Sequence, residues 1–260
     1  MMERTRSSKV AEVTLGFWVM KILATTLGET GGDAVSMSLG LGYLIGTAIF
    51  AVVFALAVTA QMQAKRFHAS LYWFTIVATT TVGTTLADFA DRSLGIGYPG
   101  GSALLLALLC ASLYLWHRTL GSVAISSVTS SRAEAFYWLT IMFSQTLGTA
   151  LGDWMADSMG LGYLGAALIF GALLLVVAGL YFGSRLSHVA LFWIAFVLTR
   201  PLGAVVGDFL DKPIDHGGLA LGRFAASAAL LALIVVCFFV FPQRPARRTQ
   251  TAIPAPSVLS

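Results

Sequence analysis

Four segments of this chain align without a gap: FWVMKILATTLGETGGD (17–33), YWFTIVATTTVGTTLAD (72–88), YWLTIMFSQTLGTALGD (137–153) and FWIAFVLTRPLGAVVGD (192–208). Trp18, Trp73, Trp138 and Trp193 are each followed ten residues later by Gly28, Gly83, Gly148 and Gly203. Five residues beyond those glycines come Asp33, Asp88, Asp153 and Asp208. Such a period means a supersecondary unit that buries its face against its neighbours rather than alone. The tryptophans are 55, 65 and 55 residues apart, which reads as a duplicated pair joined by the longer linker GSVAISSVTSSRAE. The first three copies continue as GLGY, GIGY and GLGY, whereas the fourth carries DHGG (Asp215 to Gly218) in that place.

What surrounds the repeat decides the solvent. The 260 residues are 57% hydrophobic and 11% charged, with a mean hydropathy of +0.83; a soluble domain carries about 25% charged residues. Apolar runs of roughly 20 residues, the length that spans a bilayer, recur near 13–36, 42–62, 69–91, 98–117, 134–157, 162–182, 188–211 and 218–241. The expected fold is therefore an all-α membrane protein with eight transmembrane helices in four two-helix repeats, 13–62, 69–117, 134–182 and 188–241. Residues 1–12 form a cytoplasmic N-terminus, and the Pro-rich, basic stretch 242–260 is expected to be a disordered cytoplasmic tail. The first apolar run has the look of a signal peptide, but it is part of the repeat and is read as a span. Cys110 and Cys237 lie within apolar runs and read as small hydrophobes.

Charge sets the orientation. Eleven of the sixteen Lys and Arg residues lie at the termini or in connections after even-numbered spans, the side that the positive-inside rule assigns to the cytoplasm. Nine of the twelve acids fall at the opposite turns. The pI near 9.3 reflects these flanking bases and is no argument for nucleic acid.

Because each unit holds two spans, every unit enters the membrane in the same sense. The repeats are then parallel and pseudo-symmetric about an axis along the membrane normal, unlike inverted-repeat transporters. Four hairpins around a central axis and two packed pairs both satisfy this. In its Trp, Gly and Asp positions, over about residues 13–241, the pattern resembles a group of bacterial membrane proteins of unknown function built from four tandem repeats, each with two spans and a marked tryptophan. The resemblance implies the repeat architecture and a bacterial inner-membrane location, and no activity.

Helical spacing gathers the polar residues of each first span on one face. Copy one presents Thr25, Gly28, Glu29, Gly32, Asp33 and Ser36, and copy two Thr80, Gly83, Thr84, Ala87, Asp88 and Asp91. Copy three presents Gln145, Gly148, Thr149, Gly152, Asp153 and Ala156, and copy four Arg200, Gly203, Ala204, Gly207, Asp208 and Asp211. The small-xxx-small pairs Gly28/Gly32, Gly83/Ala87, Gly148/Gly152 and Gly203/Gly207 let membrane helices approach closely. A carboxylate at mid-bilayer costs at least about 2.5–3.5 kcal/mol on insertion scales, so an aspartate kept in four copies points to a cation. With tryptophans at the cytoplasmic interface, fifteen residues of helix place the aspartates about 22 Å away, in the outer half of the bilayer. There the acids are either a wet turn or a binding cluster. The candidate cation ligands are Asp33, Asp88, Asp153 and Asp208, with Glu29, Asp91, Asp157 and Asp211 lining the pathway. Lys21 and Arg200, on or beside the stripe, need charge partners, which Glu29, Asp33 or a neighbouring repeat's aspartate can supply.

TTTVGTTLAD (79–88) resembles a potassium-channel filter, but each repeat lacks the third, re-entrant helix that such a filter needs, and copies three and four replace the threonines with Gln145 and with Arg200-Pro201. Carboxylates and hydroxyls are hard ligands suited to Mg²⁺, Mn²⁺ or Ca²⁺ rather than to the His/Cys-seeking Zn²⁺ and Cu²⁺; His216 alone among four histidines lies near the outer turns. Protons are a second candidate ligand. Nucleophile–base pairs, metal-protease motifs and nucleotide-binding loops are missing, so neither an enzyme nor a cofactor is expected. The sequence reads as an integral membrane cation transporter for a divalent metal such as Mn²⁺, or alternatively as a non-transporting membrane scaffold or sensor with a purely structural charge network. Oligomeric state is not legible.

Overall fold

A computed structural model describes residues 8–246. The described residues form eight long helices: α1 (Leu15–Asp33), α2 (Gly42–Gln63), α3 (Ala69–Asp88), α4 (Tyr98–Leu120), α5 (Ser131–Asp153), α6 (Gly162–Gly183), α7 (His188–Asp211) and α8 (Arg223–Val240). The four odd-numbered helices carry the repeated motif and close into a ring, α1 packing on α3, α3 on α5, α5 on α7 and α7 back on α1. Of the two arrangements open to the sequence, the contacts are those of hairpins around one axis.

The even-numbered helices lie outside this ring, and each packs chiefly on the next repeat. α2 lies against α3, α4 against α5, α6 against α7, and α8 closes the circle against α1. Hydroxyl pairs mark two of these seams: Ser112 with Thr140 at 2.7 Å and Thr30 with Ser227 at 2.8 Å. The outer faces of these helices are apolar, with Leu56, Leu175 and Phe239 well exposed.

Five helices (α2, α4, α6, α7 and α8) are long and apolar enough to cross a membrane. α1, α3 and α5, counted as spans from the sequence, are of similar length but fall short in hydropathy. Their position explains it: a helix walled in by neighbours has no need of apolar residues all round, and its inward face can be threonine and glycine. In α3 those threonines satisfy themselves locally, Thr79 and Thr81 donating to the carbonyls of Thr75 and Val77 at 2.6 and 2.8 Å, the usual i−4 back-bond of a helical hydroxyl.

In the first three repeats the helix runs past its aspartate into one π-helical turn, Ala34–Ser38, Phe89–Ser93 or Trp154–Ser158. The GxGY motif then reverses the chain: Gly40 and Gly42, Gly95 and Gly97, and Gly160 and Gly162 all have φ between 65 and 76°, a conformation that glycine alone adopts without steric cost. In the fourth repeat DHGG does not fill this role. Ala220-Leu221-Gly222-Arg223 does, with Ala220 at φ 53° and Gly222 at φ 74°, five residues later than in the other copies.

The tryptophan end of the ring is closed by aromatic packing. Trp73, Trp138 and Trp193 are buried, and Trp18 is half-buried. Trp138 packs on Tyr72 and Trp193 on Tyr137, and the two tyrosine hydroxyls meet at 2.7 Å. Trp73, Trp138 and Trp193 are therefore core residues, with Trp18 packed against them. The two terminal segments join this end. Val10 and Glu12 pair with Ala246 and Arg244, so the tail expected to be disordered from residue 242 is ordered through Ala246. Residues 1–7 and 247–260, with the rest of that expectation, lie outside the described residues. Lys9 donates to the carbonyls of Gln61, Met62 and Ala64 and pairs with Glu134 at 2.7 Å, tying α2 to α5.

Candidate functional site

The glycines set how closely the ring closes. Where a Cβ would stand on Gly28 lies Thr80; on Gly83, Gln145; on Gly148, Arg200; and on Gly203, Thr25. Each glycine thus receives the residue three positions before the glycine of the neighbouring repeat. One turn on, Gly32 faces Thr84, Gly152 faces Ala204 and Gly207 faces Glu29. The stripe is a packing seam, and by drawing the helices together it forces its polar members onto one axis.

The axis is layered. At its centre Arg200, fully buried on α7, reaches the other three helices of the ring. Its Nη2 donates to Glu29 Oε2 at 2.9 Å on α1, to Thr84 Oγ1 at 2.6 Å on α3, and to Thr149 Oγ1 on α5. Thr84 in turn donates to Glu29 Oε2 at 3.2 Å. Ala204 holds the position that carries Glu29, Thr84 and Thr149 in the other copies, so the arginine one turn below occupies the room that this small residue leaves.

One turn beyond Glu29 lie the four repeated aspartates, all buried. They are cross-linked in pairs by two bases that the sequence reading passed over. Arg92 bridges Asp88 (3.1 Å) and Asp153 (3.0 Å), and Lys212 bridges Asp208 and Asp33, both at 2.9 Å. Both bases stand nine residues after the glycine of their copy, where the other copies have Met37 and Asp157. Arg223, at the position of the GxGY tyrosine, pairs with Asp211 at 3.0 Å and approaches Asp33 at 3.5 Å. The available signal was subtraction: of sixteen bases, the five not on the positive side are Lys21, Arg92, Arg200, Lys212 and Arg223. Burial works against the charge of Lys212, but Asp208, Asp33 and Asp211 outweigh it and hold its pKa well above that of a free lysine.

Not every expected residue joins the cluster. Asp157 is exposed, and Asp91 turns towards Gly101 of α4; both lie in π-helical turns, where the additional residue per turn shifts the face out of α-helical register. His216 sits on an exposed turn beside Asp215. Arg200 has its expected carboxylate in Glu29, but among the described residues Lys21 has none: its Nζ donates to Thr199 Oγ1 at 3.3 Å and lies 3.9 Å over the Phe196 ring.

Three carboxylates converge. Glu29, Asp153 and Asp208, from three different repeats and all buried, each offer an oxygen within 4.8 Å of the others. Asp33 and Asp88 stand outside this trio, held by Lys212, Arg223 and Arg92.

A family model described as a repeat of unknown function (DUF347) matches residues 16–67, 71–122, 136–187 and 191–241. The chain belongs to that family. Each match takes in one ring helix and the outer helix that follows it, so the family's unit is continuous in sequence while its main contacts are made with the next unit. Comparisons with curated proteins and with solved structures gave no match.

Proposed function

We propose that this DUF347 protein is an integral protein of the bacterial inner membrane that transports a divalent cation, with manganese as the leading candidate. In this reading all eight long helices cross the bilayer, both termini are cytoplasmic, and the four parallel repeats surround a pseudo-symmetry axis along the membrane normal. The apolar outer faces of α2, α4, α6 and α8 support it, as does the side-chain polarity gathered on the ring axis.

The observation that carries the cation reading is the convergence of Glu29, Asp153 and Asp208 within 4.8 Å. Oxygens of one coordination shell lie up to about 4.2 Å apart around Mg²⁺ and up to about 5 Å around Ca²⁺, so three carboxylates gathered this closely are within reach of a single hard cation. The charge balance points the same way. Glu29, Asp33, Asp88, Asp153, Asp208 and Asp211 face only Arg92, Arg200, Lys212 and Arg223 among the described residues, an excess of two carboxylates in buried surroundings. Unpaired buried charge is costly, and a divalent cation relieves it. The Arg200 guanidinium on the axis opposes an open cation pore and favours a carrier.

The competing reading, a scaffold or sensor, is favoured by one observation: Arg92 and Lys212 each tie aspartates of two repeats together, as structural cross-links do. Flux into proteoliposomes separates the two. Wild-type protein is expected to carry Mn²⁺ in preference to Mg²⁺, Ca²⁺ or Na⁺, with or without a proton gradient, and Asp153→Asn to lose flux while remaining monodisperse. Absence of any cation flux in folded wild type would favour the scaffold.

A further inference from the structure

On the tryptophan side of the carboxylate layers the axis changes sign. Arg200 and Lys21 are both fully buried there, two helical turns of α1 separating Lys21 from Glu29, the one carboxylate among the described residues that contacts either base. Arg200 spends Nη2 on Glu29 and two threonines, but its Nε and Nη1 have no partner. Gln145, equally buried at the corresponding position of α5, has neither its Nε2 nor its Oε1 paired. The N–H groups on Arg200 Nε and Nη1 and on Gln145 Nε2 thus stand without an acceptor among the described residues, and leaving buried polar groups unpaired is costly.

We propose that this stretch of the axis, between Lys21 and the free edge of Arg200 with Gln145 beside it, binds a small inorganic anion, a halide. A ligand here has to accept several hydrogen bonds and carry negative charge. Water meets the first requirement only, since it brings no counter-charge to a buried stretch that holds two bases, Lys21 and Arg200, and one contacting carboxylate, Glu29. A larger oxyanion is disfavoured by the close helix contacts at Gly83 and Gly148, filled by Gln145 and Arg200 themselves, and by the bulk of Ile76, Ile141 and Phe196 in the Lys21 layer, all fully buried. A monatomic ion has no orientation to satisfy, and Gln145 can turn its amide so that Nε2 faces it. The proposal is independent of which cation, if any, the carboxylates bind.

The test is chloride-35 NMR line broadening on the full-length protein in detergent, titrated with sodium chloride in a sodium gluconate background. Wild type is expected to show saturable excess broadening that bromide displaces. Affinity should fall about tenfold or more in Lys21→Met and in Gln145→Leu, while Asp157→Asn, at an exposed turn, should bind as wild type does. Absence of saturable broadening in monodisperse wild type, or wild-type affinity in the variants, overturns the proposal. If Lys21→Met does not fold, Gln145→Leu, which leaves every charge in place, decides alone.

Discussion

Gly148 of α5 and Arg200 of α7 share one space: the Cβ that Gly148 lacks would fall on Cβ and Cγ of Arg200. The arginine can cross the axis only because the neighbouring helix α5 has no side chain there. Gly148→Ala should therefore destabilise the protein by about 1–3 kcal/mol, the range for overpacking a filled core, by displacing Arg200 from Glu29. Gly31→Ala, where nothing lies within 4 Å, should be neutral or better. Thermal unfolding of both variants in detergent checks the pair.

Removing Arg200 leaves Glu29 buried with Thr84 as its hydrogen-bond donor. Arg200→Met is expected to cost roughly 3–5 kcal/mol, as breaking a buried pair does, and Glu29→Gln in the same chain should restore most of it. A double-mutant cycle on unfolding free energy measures the coupling; additive losses would show that the pair does not act as a unit.

Lys212 gives the network a pH signature. Its folded pKa lies above the ordinary lysine value of 10.5, so the stability it contributes is fully present below about pH 10 and is lost only as pH rises towards the folded pKa. Lys212→Met should lower stability by about 1.5–3 kcal/mol. Attributable to the lysine itself, that deficit should stay constant from about pH 7 to 9 and shrink only above about 10.5. Unfolding of both proteins across that range is the measurement.

The trio and the outlying acid make opposite predictions for cation binding. Asp153→Asn and Asp208→Asn should each weaken Mn²⁺ binding about tenfold or more, since each removes one of three converging carboxylates, and tenfold corresponds to about 1.4 kcal/mol. Asp157→Asn should bind as wild type does. Calorimetric titration of each purified variant decides, and equal losses in all three would assign the effect to net charge.

The repeat, the helical class, the small-residue seam and the four aspartates were legible in the sequence, because each depends on spacing along one helix. Trp, Gly and Asp at constant offsets state a face, and a face of glycine and threonine in an apolar helix has to meet another helix. The pairing of Arg200 with a carboxylate followed from the same logic, as an unpaired buried base is costly. What the spacing left open was which helix each face meets. Only the tertiary structure places the outer helix of every repeat on its successor, brings Thr80 to Gly28 and Gln145 to Gly83, and sets Glu29, Asp153 and Asp208 of three repeats within reach of one ion. It also turns Asp91 and Asp157 out of register through π-helical turns, finds the fourth GxGY turn in Ala220-Leu221-Gly222-Arg223, and recruits Arg92 and Lys212 between neighbouring aspartates. These are contacts between residues 50 or more positions apart, or local changes of helical pitch, and the period of a single helix encodes neither.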